Sequence, residues 1–334
     1  MNFFSNIDIK PLPGSISYEH KIMVIGSCFT EHIGNNLQDL KFNVLQNPNG
    51  ILFEPASVCR SLVNYLDNKQ YKAEDLSFQN ELWQSWDHHG RFNHPDQEKA
   101  LEGINTSQQQ AHAFIKEADW LIITLGSSFV YRLKETNAFV ANCHKAPGTW
   151  FEKYLIPITE QIELLDNTIH RLFYTNPKLK IIFTISPVRH LRDGVVDNNR
   201  SKARLIETVH HLVNKFDRLF YFPAYELVID VLRDYRFYDI DLAHPNYAAT
   251  QFVMEHFADF AFDKTTQDLM KEIKQLVTAR NHKAFHPGSN QHQQFLKQHY
   301  AKTEALAKAH PSLDFTAELS YFNLNTYINK LQAE

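Results

Sequence analysis

The sequence contains little glycine, few cysteines and no strong excess of charge of either sign. Its 334 residues include 10 Gly and 3 Cys, and 34 Lys and Arg residues nearly balance 38 Asp and Glu residues, for a net charge of -4. Because the charges are balanced and form no run of one sign, neither a nucleic-acid-binding protein nor a polybasic membrane partner is expected. The absence of repeats and low-complexity segments also excludes a repetitive or disordered chain.

Two further absences bear on where the protein works. The first residues, MNFFSNIDIKPLPGS, have no basic segment followed by a long apolar stretch, and no apolar run approaches the length of a membrane span. We therefore expect neither a signal peptide nor contact with a membrane. Cys28, Cys59 and Cys143 are odd in number and none belongs to a C-x-x-C pair, so a reducing cytoplasm without disulfide bonds is expected.

The sequence is rich in aromatic residues, with 25 Phe and 14 Tyr, and two kinds of apolar pattern alternate along it. Short apolar runs, typical of strands buried on both faces, occupy Met23–Ile25, Val44–Leu45, Leu121–Thr124, Ile181–Ile185 and Phe220–Phe222. Helical spacing of apolar residues occupies Glu31–Leu40, Ala56–Leu66, Gln108–Glu117, Pro157–Tyr174, Arg200–Phe216 and Ala224–Arg233. This alternation predicts an α/β fold in which helices cover both faces of a parallel sheet.

Three segments interrupt the alternation. Tyr71–Ala100 is aromatic, rich in His and irregular, and predicts a loop inserted over one end of the sheet. Val130–Asn142 predicts an inserted β-hairpin, and the sequence from Lys264 onward is polar with apolar residues at helical spacing. We predict one α/β domain over residues 1–262 and a mainly helical C-terminal extension over residues 263–334, whose helices are a candidate homodimer surface.

Chemically competent residues follow the predicted strands. They are Gly26-Ser27-Cys28 after the first strand, Gly50 after the second, Gly126-Ser127-Ser128 after the third, and Arg189 and His190 after the fourth. In open parallel sheets, ligands bind beyond the carboxyl ends of the strands. The sequence therefore predicts an active site at this edge of the sheet.

The segment FYDIDLAHPN places Asp241 three residues before His244. A general-base His needs an acceptor on its second ring nitrogen, and a turn between the two residues allows that bond. The alternative is that Asp241 only caps a turn and His244 only precedes the next helix. The Ser-Cys turn upstream favours the acid–base interpretation.

Eight stretches together resemble one known family. They are VIGSCFTEHIG, NPNGILFEP, LIITLGSSFVY, VANCHKAP, FTISPVRHLRDG, NNRSK, YFPAYELVIDVLRDYRFY and DLAHPN. They are similar to the GSCFA-domain family, a branch of the SGNH/GDSL hydrolase-like clan, over about residues 20–262. The resemblance implies a flavodoxin-like three-layer α/β/α sandwich with a nucleophile in a G-D-S turn and a late D-x-x-H pair.

The resemblance also implies residue roles. Asp241 and His244 match the orienting carboxylate and the general base, and Gly50 matches a turn glycine whose backbone N–H holds the oxyanion. The third oxyanion donor of the clan is an Asn in a G-x-N-D turn, where this sequence has Gly126-Ser127-Ser128-Phe129. Ser128 or Asn142 is the candidate replacement. An unreplaced donor would cost about two to three orders of magnitude in rate.

The nucleophile has two candidates. An alignment of G-D-S-x-T without a gap places Cys28 at the nucleophile position and Ser27 at the Asp. A thiol at a helix N-terminus is expected to have a lowered pKa, and a nearby His244 would favour the thiolate further. The alternatives are Ser27 as the nucleophile, or Ser27 as a helix cap with Cys28 as a small buried residue.

Other residues are candidates for substrate binding. They are Trp86 and His89 in the aromatic loop, His144 and Lys145 in the N-C-H-K segment, and Arg189, His190, Arg200 and Lys202 around the fourth strand and the next helix. Tryptophan faces suit sugar rings, and the basic residues suit a carboxylate or phosphate. For each group, local packing or solvated ion pairing is the alternative.

No metal or other cofactor is expected. His88, His89 and His94 lie close in sequence, but adjacent histidines on one loop rarely converge on one ion. The most consistent function is hydrolysis or transfer of a small acyl group, with O-acetyl on a carbohydrate as a candidate substrate. The alternative is a non-catalytic ligand-binding or scaffold protein that keeps the fold, which the missing Asn favours and the Asp241–His244 pair disfavours.

Overall fold

The computed structural model describes residues 5–282 and 284–324. Its strands are β1 (Lys21–Gly26), β2 (Asn43–Gln46), β3 (Ser77–Gln79), β4 (Leu82–Gln84), β5 (Trp120–Leu125), β6 (Phe129–Leu133), β7 (Phe139–Val140), β8 (Phe151–Leu155), β9 (Lys180–Ile185) and β10 (Leu219–Phe222). Its α-helices are α1 (Cys28–Asp39), α2 (Pro55–Leu66), α3 (Gln97–Ile115), α4 (Ile158–Thr175), α5 (Gly194–Lys215), α6 (Ala224–Glu226), α7 (Tyr247–Ala261), α8 (Lys264–Asn281), α9 (Asn290–Ala309) and α10 (Thr316–Phe322).

The central sheet has five parallel strands in the order β2-β1-β5-β9-β10. These are the five strands predicted from apolar runs, and their order along the chain, 2-1-3-4-5, is the flavodoxin-like order. Alternate residues of each strand enter different hydrophobic clusters. In β1, Ile22 and Val24 face one cluster, and Met23 and Ile25 face the other. Burial on both faces explains why these strands are continuously apolar.

Helices cover both faces of the sheet, so the predicted three-layer α/β/α sandwich is confirmed. Helices α1 and α7 pack on the face that Ile22 and Val24 share, while α2, α3, α4 and α5 pack on the opposite face. In α1 the buried residues Phe29, Ile33 and Leu37 follow helical spacing and meet the sheet. The parallel arrangement brings the carboxyl ends of β1, β5 and β9 side by side.

The insertions contain more regular structure than the sequence predicted. The hairpin after β5 is a three-stranded antiparallel sheet, because β8 joins β6 on the side away from β7. The 71–100 segment holds the short hairpin β3–β4, and α3 begins at Gln97. The predicted helix 224–233 is wrong beyond Glu226, where the backbone continues as a π-helical turn, Leu227–Leu232. Apolar spacing does not distinguish that turn from an α-helix.

The helices α8, α9 and α10 extend the hydrophobic cluster on the α1 side of the sheet. Ile273, Leu296 and Phe322 are buried in the same cluster as Ile22 of β1. Glu318 of α10 is also buried and pairs with Lys41 and with Arg280 of α8. The predicted division at residues 262–263 stays a prediction. The last ten residues of the predicted C-terminal extension, 325–334, lie outside the described residues. No helix within the described residues is both long and apolar enough to cross a membrane.

Candidate active site

The turn after β1 is held in place by three backbone constraints. Gly26 has a φ of +144°, and a Cβ atom there would lie 2.1 Å from the carbonyl oxygen of Thr124, so only glycine fits. The N–H of Gly26 donates to Oδ1 of Asn47 (2.9 Å), and the N–H of Ser27 donates to the Thr124 oxygen (3.0 Å). The turn is therefore fixed between β5 and the loop after β2.

Ser27 and Cys28 differ in their surroundings. Ser27 is the N-cap residue of α1, but its side chain makes no capping bond, and its buried Oγ has no hydrogen-bond partner among the described residues. Cys28 is the first residue of α1 and is only partly buried. Of the two nucleophile candidates, the thiol is therefore the more accessible.

The pKa of the Cys28 thiol departs from the sequence-based expectation. Burial, and then the charge of Glu31, raise it, and the charge of Lys202 and the N–H groups of Phe29 and Cys28 lower it by less. The net result is a raised pKa, so the expected acidification by the helix N-terminus is wrong for this structure. Desolvation of the thiolate outweighs the favourable N–H groups.

Asp241 and His244 are bonded as their spacing predicted. Oδ2 of Asp241 lies 2.5 Å from Nδ1 of His244, and Oδ1 accepts the N–H groups of Ala243 and His244. These bonds, first the one from the His244 N–H, lower the pKa of Asp241 to about 2. His244 is half-exposed. Since Nδ1 faces a carboxylate, Nε2 is the nitrogen available to exchange a proton with a bound molecule.

His244 lies within electrostatic range of His32 in α1 and of His190. No hydrogen bond joins His244 to Ser27 or Cys28 in the part of the chain that the structure describes. Burial is the largest cause that lowers the pKa of His32 in α1 and the pKa of His190. The charge of His244 is a smaller cause, and it lowers both values further. His32, which the sequence analysis did not single out, is thus a residue of α1 within electrostatic range of the Asp241–His244 segment.

The predicted oxyanion donors are engaged in local bonds. The Gly50 N–H donates to the Asn47 oxygen (2.7 Å), which closes the N-P-N-G turn. The Ser128 hydroxyl donates to the carbonyl oxygen of Ser201 in α5 (2.9 Å), and Oδ1 of Asn142 accepts the N–H of His144 (2.9 Å). Their role as oxyanion donors stays a prediction. The Gly50 N–H and the Ser128 hydroxyl would first have to leave their present acceptors, whereas the bond of Asn142 engages only its acceptor oxygen and not its Nδ2 donor.

Two substrate-binding candidates meet beside the inserted sheet: Trp86 follows β4, and His144 lies between β7 and β8. The rings of Trp86 and His144 are 5.9 Å apart, and Trp86 also meets Phe151 edge-on at 5.7 Å. His144 is buried, with Nε2 bonded to the Ser85 oxygen (2.8 Å), and burial lowers its pKa. Lys145 beside it is exposed. His144 is therefore enclosed in local structure, Trp86 is only partly buried and stays a substrate-binding prediction, and Lys145 is a solvent-facing charge.

His89 lies in the loop after β4 and packs against the loop after β2. Its N–H donates to the Asn49 oxygen (2.8 Å), and its Cβ would be only 2.2 Å from a Cβ at Gly50. Gly50 has a φ of +79°, so a side chain there would be both strained and obstructed. Burial, then the charge of Arg91, lower the pKa of His89. The charge of Glu31 raises the pKa of His89 and so opposes that shift. Because Glu31 lies in the first turn of α1, this effect indicates that His89 is near the start of that helix.

Arg189 and His190 occupy the edge of the sheet beyond β9. The Arg189 N–H donates to the Ala243 oxygen (3.0 Å), and its guanidinium lies 4.5 Å from the ring centre of Tyr238. Arg189 thus supports the segment that carries His244.

His190 is directed toward the nucleophile turn. Its Nε2 lies 3.4 Å, and the Cβ of Ser27 3.2 Å, from the point that a Cβ of Gly126 would occupy. Burial, and then the charge of Lys202, lower the pKa of His190 to about 4. His190 is therefore a neutral imidazole at pH 7.

Lys202 occupies a place that the sequence analysis did not predict. The side chain is fully buried, and Nζ donates to the carbonyl oxygens of Gly126 and Ser186, each at 2.6 Å. These oxygens follow β5 and β9. A signal was available in the sequence, because Lys202 lies in helical register with the apolar residues Leu205, Val209 and Leu212.

A metal-ligand cluster is absent from the residues that the structure describes. No three or more His, Cys, Asp or Glu side chains among them are grouped as a metal ion would require. The buried His88 instead places Nδ1 2.9 Å from the Ser85 hydroxyl, and Nδ1 of His94 accepts the N–H of Asp96.

Comparisons with known proteins give family-level matches. The model of the GSCFA family matches residues 21–257, and that of the GSCFA domain protein, C-terminal domain, matches residues 273–326. No curated protein matches the chain. One similar solved structure is described as "a putative platelet activating factor from Streptococcus pneumonia". It has 14% sequence identity and a TM-score of 0.39, over 76% of this chain and 85% of that chain.

Proposed function

The chain belongs to the GSCFA family, and from that premise we propose that it hydrolyses or transfers a small O-acyl group. The observation that carries the proposal is the 2.5 Å bond between Asp241 and His244, which orients an exposed imidazole at the edge of the sheet where β1 ends. A protein that only binds a ligand has no need of a His oriented in this way. The resemblance to the SGNH/GDSL clan assigns the same residues to acyl chemistry.

The proposed reaction uses the chain's own groups. His244 Nε2 accepts the proton of the Cys28 thiol, and the sulfur forms a bond to the acyl carbon. The bond from that carbon to the leaving oxygen then breaks, and His244 returns the proton to the leaving alcohol. Water or an acceptor alcohol attacks the thioester in the second half and regenerates the thiol. The N–H groups of Cys28 and Phe29, at the start of α1, are the donors for the oxyanion.

A bound substrate is part of this proposal. Because Cys28 and His244 are not hydrogen-bonded in the free protein, the substrate has to bring the thiol and the imidazole together. Active-site hydrogen bonds are often long in free enzymes and tighten on binding. A carbohydrate carrying O-acetyl is the proposed substrate class, with Trp86 and His89 as the aromatic residues of the inserted loop that suit a sugar ring.

Intact-mass spectrometry after brief exposure to p-nitrophenyl acetate tests the function. We expect one acetyl group on wild type, located on Cys28, and none on Cys28→Ala or His244→Ala. Cys143→Ala is the matched control, because Cys143 is also a partly buried free thiol. An adduct that maps to Ser27 would make the protein a serine esterase. Adducts only on scattered lysines, indifferent to His244→Ala, would contradict acyl chemistry at this site.

A second candidate function is non-catalytic ligand binding. It is favoured by the bonds that already occupy the Gly50 N–H and the Ser128 hydroxyl, since an oxyanion hole needs free donors. The discriminating result is a ligand that raises the melting temperature equally in wild type and His244→Ala while no acyl adduct forms on either.

The cellular setting is also proposed. The structure leaves Cys28, Cys59 and Cys143 as free thiols, which supports a reducing cytoplasm. A homodimer through α8 and α9 remains a proposal, and sedimentation of the full chain tests it.

A further inference from the structure

The side chain of Lys202 is fully buried, and its amine is hydrogen-bonded to the backbone just beyond the ends of β5 and β9. Its Nζ lies 2.6 Å from the Gly126 oxygen and 2.6 Å from the Ser186 oxygen, and 5.9 Å from the ring centre of Tyr225. Backbone carbonyls at these two positions belong to the edge of the sheet where the candidate site lies. The amine of Lys202 in α5 therefore lies next to the site and is hydrogen-bonded to the backbone carbonyls of the loops that follow β5 and β9.

Within the described residues, no carboxylate pairs with this amine. The groups that act on it electrostatically are the surrounding low-dielectric protein and Cys28, with no Asp or Glu among them. A buried ammonium group without a negatively charged partner is costly even when it is hydrogen-bonded. Burial accordingly lowers the pKa of Lys202 to about 7. An uncompensated cation of this kind is suited to an anion that forms only during a reaction.

The nearest place for such an anion is the nucleophile turn. Gly126, whose oxygen Lys202 holds, packs against the Cβ of Ser27. Lys202 and Cys28 also act on each other, because the ammonium lowers the pKa of the thiol and the thiolate raises the pKa of the amine. The other charged or titratable groups that face this pair are Glu31, which opposes the thiolate, His190 and Tyr225.

We propose that Lys202 is a positioning residue whose buried positive charge stabilises an anion at the turn of residues 26–28, in the first place the thiolate of Cys28. The inference rests on the proposed function in that it takes Cys28 as the nucleophile. It adds a source of thiolate stabilisation that the helix N-terminus does not supply. It also explains why α5 carries a lysine on its apolar face.

A purely structural role is the competing explanation. Lys202 also fixes two carbonyl oxygens, and an uncharged donor would do the same. Charge and hydrogen bonding are separated by two substitutions, since Lys202→Gln keeps an N–H donor without the charge and Lys202→Met removes both. Lys215→Gln is the matched control, because Lys215 ends the same helix at the surface, where it pairs with Asp166.

The experiment measures the rate of alkylation of Cys28 by iodoacetamide against pH, with each thiol followed by peptide mass spectrometry. Alkylation forms an S–C bond, breaks the C–I bond and releases iodide, so it needs the thiolate but no ester chemistry. Both Lys202 variants should move the profile of Cys28 to higher pH and slow its alkylation about fivefold at pH 7, where the amine of wild type is about half protonated. Lys215→Gln should leave it unchanged.

The fully buried Cys59 reports whether the variants fold, because it reacts only when the core opens. An unmoved Cys28 profile with Cys59 protected overturns the proposal. A shift with Lys202→Met but not with Lys202→Gln overturns it as well, since the donor alone then accounts for the effect.

Wild-type protein provides the test if Cys59 becomes reactive in both variants. Iodoacetate is anionic and iodoacetamide is neutral, so their rate ratio at Cys28 reports the local charge. A ratio higher in folded protein than in urea, despite the nearby Glu31, supports a buried countercharge, and an equal or lower ratio overturns it. Ester turnover enters neither measurement, so loss of the proposed function and loss of this inference are separate results.

Discussion

At the scale of single residues, the bond between Asp241 and His244 leads to the first prediction. Asp241→Asn keeps the shape of the turn but removes the charge that stabilises an imidazolium. His244-dependent acylation of the protein by p-nitrophenyl acetate should fall by about 10³–10⁴-fold, as for the orienting carboxylate of a protease triad. Asp239→Asn, in the same segment, should leave the rate within about threefold of wild type. Equal losses in both variants would contradict the assigned role.

The same bonds predict a pH dependence. The folded pKa of Asp241 is lowered to about 2, below an unfolded value of about 3.9. The stability that the ionised carboxylate contributes is therefore fully present above about pH 4 and is lost as the pH falls through about 2. A carboxyl carbon NMR titration of Asp241 should show a midpoint near 2. A midpoint near 4 would mean that the turn is open in solution.

Glu31 leads to the third residue-scale prediction. Its charge is the second cause of the raised pKa of Cys28. Glu31→Gln should therefore lower that pKa and speed alkylation of Cys28 at pH 7 several-fold. Asp39→Asn, at the other end of α1, is the control and should change nothing. A slower reaction of the Glu31 variant would show that Glu31 does not raise the thiol pKa.

The residues of the site were predictable to the extent that local spacing determines them. The Asp241–His244 bond follows from three-residue spacing across a turn, and the Ser27–Cys28 turn follows from a strand that ends at glycine. The contact of Lys202 with the ends of β5 and β9 and the proximity of His32 to His244 were not predictable in this way. They arise from packing between elements that are distant in sequence, and burial then reversed the expected shift of the Cys28 pKa.

At the scale of elements, Gly26 links strand geometry to the site. A methyl group at Gly26 would meet the Thr124 oxygen and its neighbours at 2.1–2.9 Å, in a backbone conformation that other residues rarely adopt. Gly26→Ala should lower the free energy of unfolding by about 3 kcal/mol in urea titrations, the upper end for overpacking. Gly103→Ala in α3 should be neutral or stabilising, because only one atom, at 4.0 Å, meets the new carbon. Equal effects would show that β1 moves freely against β5.

The elements that the sequence predicted well are those with strong periodicity. All five sheet strands begin and end within two residues of the apolar runs, because strands buried on both faces must be continuously apolar. Among the failures are the π-helical turn after Glu226 and the strand β8. The turn keeps helical apolar spacing, and β8 is the edge strand of a small sheet with exposed residues such as Glu152 and Lys153.

At the scale of the whole molecule, Glu318 connects the C-terminal helices to the sheet. Its carboxylate is fully buried and lies 2.6 Å from both Lys41 and Arg280. Glu318→Gln would leave two partly buried cations without their partner, which should cost about 3 kcal/mol in the free energy of unfolding. Asp268→Asn, an exposed ion-pair partner in α8, should cost less than about 1 kcal/mol. Equal costs would contradict a structural role for the buried carboxylate.

A shared hydrophobic core also predicts how the molecule unfolds. Since α8, α9 and α10 lie in the same cluster as β1, the 263–324 helices and the sheet should unfold in one transition. Circular dichroism and tryptophan fluorescence should therefore give coincident urea curves, because Trp120 lies in the sheet. Two separated transitions would instead favour the division at residues 262–263.

Helix α1 has one end in the candidate site and the other at the C-terminal helices. It begins at Cys28, and Lys41, two residues beyond its last turn, is paired with Glu318 of α10. Twelve helical residues form a rod of about 18 Å. Phe29, Ile33 and Leu37 pack the whole length of the helix against the sheet, so we expect α1 to move as a rigid body. A displacement of α10 that moves Lys41 is therefore expected to move the Cys28 thiol at the other end of α1.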